Sequence, residues 1–210
     1  MLGECNEHGY YRGEKCPICG EEGKFVMNDW EVRKLSGTMI GILRHFPEQF
    51  DVEMDEKGWV EMGAMADAIK RRRADFHWLR IKHIKAIAET DEKGRYQVEG
   101  KKIRATYAHT IDIDLSDLPP ADTNVLFYPV TEEEVDIVLE QGLFPIDRNK
   151  VHLSGSVEKA LEAGRIRTEN PVILRIDAAK AMEDGVIILK AGKDVYIADE
   201  IDAKYLSRYE

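Results

Sequence analysis

Apolar residues fall three or four apart along "MNDWEVRKLSGTMIGILRHF", at Val32, Leu35, Met39, Leu43 and Phe46. This spacing predicts an amphipathic helix capped by Asn28 or Asp29 and stopped near Pro47. "MDEKGWVEMGAMADAIKRRR" reads as a turn, a short extended piece around Trp59 and Val60, and a second helix. "FHWLRIKHIKAIAET" repeats with the period of a third. "RYQVEG" and "KKIRATYAHT" then flank a turn at Glu99-Gly100, which is the pattern of a hairpin. Three helices followed by a hairpin is the order of a winged helix, a plan used on nucleic acids.

"DLSDLPPADTN", with its double proline and several Asp, is the best linker in the chain. Beyond it the pattern shortens. "VLFYPV" reads as a strand, "TEEEVDIVLEQG" as a helix closed by Gly142, "KVHLSG" as a strand and "SVEKALEAG" as a short helix. "NPVILRID", "GVIILK" and "DVYIAD" are three more strands. Many short strands with two helices predict a compact α+β lobe. The expected division is a metal-binding segment over 1–27, a winged-helix lobe over 28–115 and a mixed α/β lobe over 121–210.

The first segment earns its separate status from its ligands. All three cysteines lie in "CNEHGYYRGEKCPICG", as Cys5-x2-His8 and Cys16-x2-Cys19. Paired ligands two residues apart can wrap one tetrahedral ion, and three thiolates with one imidazole make a closed structural zinc site. A disulfide reading would leave one cysteine over and give His8 no role. A closed shell has no open position for a substrate, so the zinc is expected to staple a segment too short to bury its own core.

Composition narrows the function classes. The 210 residues are 43% hydrophobic and 33% charged, with a formal net charge of −10. That balance argues against indiscriminate binding to a nucleic-acid backbone but permits a local basic pocket. No apolar run is long enough for a membrane span, so a cytoplasmic protein without membrane partners is expected. The high Lys, Arg and Glu content with little Cys is compatible with a thermophilic source. There is no G-x-G-x-x-G after a strand and no G-x-x-x-x-G-K-[ST], so neither a Rossmann loop nor a P-loop is supported. No Ser-His-Asp order and no cysteine nucleophile stands out.

What remains is a set of basic side chains. Arg44 and His45 close the first helix; Arg104 and His109 lie on or just after the second hairpin strand. Arg148 and His152 flank the turn into "VHLS", and Lys70 to Arg73 end the second helix. Each has a bland reading: charge complementing a helix dipole, a satisfied core histidine, a surface arginine. Arginine is nevertheless the side chain suited to bidentate recognition of phosphate. Phosphoryl chemistry can run on positioning and charge neutralisation without a protein nucleophile.

The ordered motifs "LRHFPE", "DEKGRY", "KIRATYAHT", "DRNKVHLS" and "NPVILRID", with the cysteine-rich start, resemble the RNA 2′-phosphotransferase family, in particular its archaeal members. The resemblance covers nearly the whole chain. It implies a winged-helix lobe followed by a lobe related to ADP-ribosyltransferases. It also implies a two-step reaction with NAD⁺ as co-substrate. An RNA 2′-phosphate, as at a tRNA splice junction, attacks the nicotinamide ribose and expels nicotinamide. A ribose hydroxyl then attacks that phosphorus, releasing 2′-hydroxyl RNA and ADP-ribose cyclic phosphate. By the resemblance Arg44, His45, Arg104 and Arg148 are the catalytic set, and His109 with Thr110 shapes the RNA phosphate or ribose site. Tyr128, Thr131, His152, Leu153, Ser154 and Arg167 match positions that hold NAD. Family members usually carry glycine where this chain has Ala108; at "LFYPVT" one register sets Pro129 and Val130 on the family's Gly and Thr, a shift by one sets Pro129 on its His and Thr131 on its Thr, and either loses the glycine. A monomer is expected. Two alternatives stay open: a non-catalytic RNA-phosphate-binding paralogue, and an ADP-ribosyltransferase acting on another phosphate acceptor.

Overall fold

The structure is a computed structural model and describes residues 1–209. The fold is mixed α/β, with three sheets and six α-helices among the described residues. The chain divides into two compact units, the first ending at Ala105 and the second beginning at Thr106.

The first unit opens with an antiparallel sheet in the order β2-β1-β3, made of β1 (Leu2–Cys5), β2 (Gly9–Arg12) and β3 (Lys24–Met27). Helix α1 spans Asp29–Arg44. Asn28 is its cap: the Asn28 side chain accepts from the Glu31 N–H at 2.9 Å, and Glu31 Oε2 accepts from the Asn28 N–H at 2.8 Å. That reciprocal pair satisfies two of the orphan donors of the first turn. Strand β4 (Val60–Glu61) and helix α2 (Met62–Arg72) follow. Then come helix α3 (Ile81–Glu89) and the hairpin strands β5 (Tyr96–Glu99) and β6 (Lys102–Ala105), with sheet order β4-β6-β5.

Helix α3 begins five residues later than its sequence period suggests. Phe76 and Leu79 are both buried, but the Leu79 N–H donates to the Phe76 carbonyl at 2.8 Å, three residues back. A 3-10 turn also repeats every three residues, so it meets the apolar period without α-helix. The start of α3 is instead set by His83, whose Nδ1 accepts the Arg80 N–H at 2.9 Å.

Leu2, Val26 and Met27 belong to the same core as Leu35, Met39, Ile42 and Leu43 of α1. The cysteine-bearing sheet is therefore packed into the first unit and is not an appendage. Arg12 adds a bolt, its Nε donating to Thr90 Oγ1 at 2.8 Å.

The second unit is a six-stranded antiparallel sheet in the order β10-β11-β8-β7-β9-β12. Its strands are β7 (Val125–Val130), β8 (Val151–Ser154), β9 (Val172–Asp177), β10 (Ile188–Lys190), β11 (Val195–Ala198) and β12 (Leu206–Arg208). Its helices are α4 (Val135–Gln141), α5 (Val157–Gly164) and α6 (Ala178–Glu183). Sequence spacing predicts only two of these helices. The six residues of α6 are too few to show a period, and its signal is the cap at Asp177, whose side chain accepts the Lys180 N–H at 3.1 Å.

The Pro- and Asp-rich stretch is irregular but is not a free tether. Leu115 and Leu118 pack with Ala191 and Ile197. The Pro119 carbonyl accepts from Lys190 N–H at 2.8 Å, and Ala121 N–H donates to Ile188 at 2.8 Å. On β7, Pro129 lies against α5: a Cβ added to Gly164 would stand 2.7 Å from Pro129 Cβ and 2.5 Å from Pro171 Cβ. Only glycine lets the helix approach the strand that closely.

Candidate functional site

The first candidate group is the closed end of α1. Leu43 and Ile42 are fully buried, and Arg44 goes in with them at 7% exposure. The His45 and Phe46 N–H groups both donate to the Gly41 carbonyl, at 3.1 and 3.0 Å, which winds the last turn tightly. Phe46 folds back over Gly41, where an added Cβ would lie 2.7 Å from its ring. Its ring also meets the half-buried His45 imidazole at 5.8 Å. A charge that merely complements a helix dipole stays in solvent. Arg44 is enclosed, and a buried guanidinium needs a reason beyond capping.

Arg104 is more enclosed, at 2% exposure, on β6, the strand against which α1 packs. Its Nε donates to Gln97 Oε1 at 2.8 Å and its Nη1 to the Lys57 carbonyl at 3.2 Å. Its guanidinium carbon lies 4.6 Å from the centroid of the Trp59 ring. Sequence reasoning finds Arg104 but misses Gln97 and Trp59. Gln97 was not legible by counting: a turn at Glu99-Gly100 would set Arg95 opposite Arg104, whereas the loop is Gly100-Lys101 and puts Gln97 directly opposite Arg104.

In the second unit, residues 107–111 lie against the start of β8. Ala108 has φ +64, in the left-handed region, and its N–H donates to His152 Nε2 at 2.9 Å. The backbone thus holds a glycine-like conformation with a Cβ present, at a cost of about 1–2 kcal/mol. Because Nε2 accepts, the neutral imidazole carries its proton on Nδ1. Asn149 Nδ2 donates to the Ile111 carbonyl at 2.8 Å, and the Asn149 N–H to the His109 carbonyl at 3.3 Å. His109 is 5% exposed and Thr110 is exposed beside it. Tyr107, His109, Asn149, Lys150, His152 and Asp199 line a cavity of ≈ 190 Å³. Arg148, adjoining Asn149, is exposed.

On β8, alternation puts Val151 and Leu153 into the core and leaves His152 and Ser154 on the other face. The Leu153 side chain is 1% exposed, so it supports the strand from behind. At the end of β7, Thr131 N–H donates to Glu134 Oε2 at 3.0 Å, and Glu134 Oε1 pairs with Arg167 Nη2. Burial works to raise the Glu134 carboxyl, but the Thr131 N–H and Arg167 outweigh it and hold it below the usual range. The same ion pair raises Arg167. Burial raises the Tyr128 hydroxyl, against the positive charges of Arg167 and Arg148. Tyr128, Thr131, Arg148 and Arg167 thus share one electrostatic neighbourhood, with Glu134 as a member the sequence did not single out.

The four metal-ligand candidates converge. Cys5 Sγ, His8 Nδ1, Cys16 Sγ and Cys19 Sγ all lie within 4.8 Å of one another. Cys5 Sγ is 3.5 Å and Cys16 Sγ 3.6 Å from His8 Nδ1, and Cys5 Sγ is 3.8 Å from Cys19 Sγ. A tetrahedral ion with metal–sulfur bonds of ~2.3 Å and a metal–nitrogen bond of ~2.0 Å has edges of roughly 3.8 Å between sulfurs and roughly 3.5 Å from sulfur to nitrogen. The donor set therefore fits such an ion. Backbone donors favour thiolates here: the Cys19 N–H holds the Cys16 thiol down to about 7, and the Glu7 N–H lowers Cys5.

Residues 30–200 match the family described as RNA 2′-phosphotransferase, Tpt1 / KptA. The chain is 48% identical over 204 residues to the "Probable RNA 2′-phosphotransferase 1" of Archaeoglobus fulgidus, covering 97% of this chain and 93% of that protein. It is 45% identical over 206 residues to the "Probable RNA 2′-phosphotransferase" of Methanosarcina barkeri, covering 98% of each. A similarly named Thermoplasma acidophilum protein is 40% identical over 204 residues, covering 97% of this chain and 86% of that one.

Proposed function

The chain belongs to the RNA 2′-phosphotransferase, Tpt1 / KptA family, and we propose that it removes a 2′-phosphate from RNA with NAD⁺ as co-substrate. The observation that carries this reading is the burial of two guanidiniums, Arg44 and Arg104, in one small unit. Fixed guanidiniums suit a dianionic phosphate, and their placement before substrate arrives avoids reorganisation in the transition state.

Arg44, Arg104 and Arg148 bind the RNA 2′-phosphate and offset charge as the phosphorus is attacked. His45 hydrogen-bonds the phosphate or moves a proton at the reacting ribose hydroxyl. His109 and Thr110 shape the RNA side. Tyr128, Thr131, His152, Ser154 and Arg167 hold NAD⁺, with Leu153 packed behind them. The Arg167 guanidinium, near the Tyr128 hydroxyl, suits a pyrophosphate-bearing ligand. When bound, NAD⁺ supplies the ribose that accepts the phosphate: nicotinamide leaves in the first step, and ADP-ribose cyclic phosphate leaves in the second.

The order helix, strand, helix, helix, hairpin over residues 29–105 supports a winged-helix RNA-binding lobe in the first unit, ending ten residues short of the expected 115. The antiparallel sheet over 121–210 supports an ADP-ribosyltransferase-like lobe. Residues 70–85 carry seven Lys and Arg against one acid in a chain of net charge −10, which favours an RNA partner. Residues 1–27 hold a structural zinc ion through Cys5, His8, Cys16 and Cys19. A cytoplasmic monomer acting on tRNA is consistent with this reading. Among the described residues no helix is long and apolar enough to cross a membrane.

Incubation with an RNA bearing one internal 2′-phosphate, with and without NAD⁺, tests the proposal. NAD⁺-dependent loss of the phosphate with release of nicotinamide and ADP-ribose cyclic phosphate is expected. Arg148→Ala, on an exposed loop, should keep the fold and lose turnover; full activity would remove Arg148 from the site. A non-catalytic paralogue is the second reading, favoured by Pro129, which lacks the N–H and the freedom of the glycine usual there. Tight RNA binding without turnover would select it.

A further inference from the structure

We propose that Trp59 and Gln97 are positioning residues that fix the plane of the Arg104 guanidinium. This rests on the reading of Arg104 as a phosphate ligand. The sheet order β4-β6-β5 puts β6 in the middle. Val60 pairs with Ile103 and Gln97 with Arg104, so Trp59, Arg104 and Gln97 form one row across the sheet. Each neighbour constrains the guanidinium differently. The Trp59 ring covers it at 4.6 Å, Gln97 Oε1 takes Nε–H at 2.8 Å, and the Lys57 carbonyl takes Nη1–H at 3.2 Å. An aromatic face and two acceptors fix a plane, where a single acceptor would leave the group free to swivel.

The loop that delivers two of these contacts is itself built for rigidity. Asp55 Oδ1 accepts from the Lys57 N–H at 3.1 Å and the Trp59 N–H at 2.8 Å. The Asp55 N–H donates back to the Trp59 carbonyl at 3.1 Å, and Gly58 takes φ +78 to close the turn. The stretch "DEKGW" is thus a side-chain-organised turn that offers a carbonyl and an indole to Arg104. Neutral acceptors are suited to this task. A carboxylate in place of Gln97 would hold Arg104 equally well but would cancel the charge that a phosphate needs.

The test uses the full chain and four variants: Trp59→Phe, Trp59→Ala, Gln97→Ala and Gln97→Glu. Each is assayed for kcat and KM on 2′-phosphorylated RNA and for its unfolding midpoint. Trp59→Phe keeps a ring face and should stay within about twofold of the parent. Trp59→Ala, Gln97→Ala and Gln97→Glu should lower kcat/KM by about ten- to a hundredfold, the worth of one or two hydrogen bonds to a charged group. The Trp59→Phe and Trp59→Ala pair separates positioning from mere bracing, because the ring face alone should restore activity. Gln97→Glu, which keeps the plane and cancels the charge, tests the need for a neutral acceptor. Parent-like kcat/KM in Gln97→Ala and Trp59→Ala would overturn the proposal. If the parent turns over no RNA, the activity reading fails. Positioning is then read from binding of 2′-phosphorylated against 2′-hydroxyl RNA. A preference in the parent that Gln97→Ala and Trp59→Ala lose and Trp59→Phe keeps would support it, and no preference in the parent would overturn it.

Discussion

Two residues hold conformations or protonation states that ordinary chemistry disfavours, and each has a measurable consequence. Ala108 sits at φ +64, so Ala108→Gly should stabilise the protein by about 1 kcal/mol in a urea titration. A loss of stability there would mean that the Cβ contributes packing greater than its backbone strain. His83 is 6% exposed, and burial holds its imidazole down to about 4 from an ordinary 6.5. The folded state therefore disfavours the proton that the unfolded chain takes up. Stability contributed by neutral His83 is complete above pH 6.5 and falls away as pH drops through the window to about 4. The unfolding midpoint should decline across that window, and His83→Gln should flatten the slope. An equal slope in the variant would assign the decline to other groups.

At the scale of elements, periodicity was informative wherever one side of an element met a core. Helix α1, its Asn28 cap and the existence of the hairpin were legible, as were most strands of the second unit, while the turn lies at Gly100-Lys101, one residue past Glu99-Gly100. Helix α6 and the start of α3 were not, because six residues show no period and a 3-10 turn imitates one. The candidate arginines were found by motif, whereas their holders lie across a sheet. Gln97, Trp59 and Glu134 carry no signal until strand register and helix capping are known. The convergence of Cys5, His8, Cys16 and Cys19 was legible from spacing alone, and the packing of their segment makes a further prediction. Leu2, Val26 and Met27 are shared with the core of α1, so removing the ion should lower the unfolding midpoint of the whole first unit. Metal analysis should give one zinc per chain, and chelation should shift the midpoint. An unshifted midpoint after complete metal loss would show that the sheet stands without it.

At the scale of the molecule, an acidic chain of 30 Lys and Arg gives a few of its cations to the proposed chemistry. Arg44 and Arg104 are buried in the first unit, and Arg148 and Arg167 share a neighbourhood with Tyr128 in the second. Residues 70–85 add the basic stretch. RNA affinity should therefore weaken with salt as phosphates are neutralised, while replacing Arg71 and Lys82 with Ala should reduce that dependence by about one to two in log–log slope. An unaltered slope would place RNA contact elsewhere.

The nesting of Pro129 against Gly164 and Pro171 has a consequence for how such a chain can change over descent. Neither position is free by itself. A methyl group at 164 collides with both proline rings, so a smaller residue at 129 relieves one of the two contacts and leaves that with Pro171. Gly164→Ala should cost stability in the parent, less in a Pro129→Gly background and least when Pro171 is also replaced, with a coupling energy of about 1 kcal/mol between 129 and 164 in a double-mutant cycle. Additive effects would deny the coupling. If it holds, the glycine at 164 is kept by two prolines, and both must change before α5 can accept a side chain there.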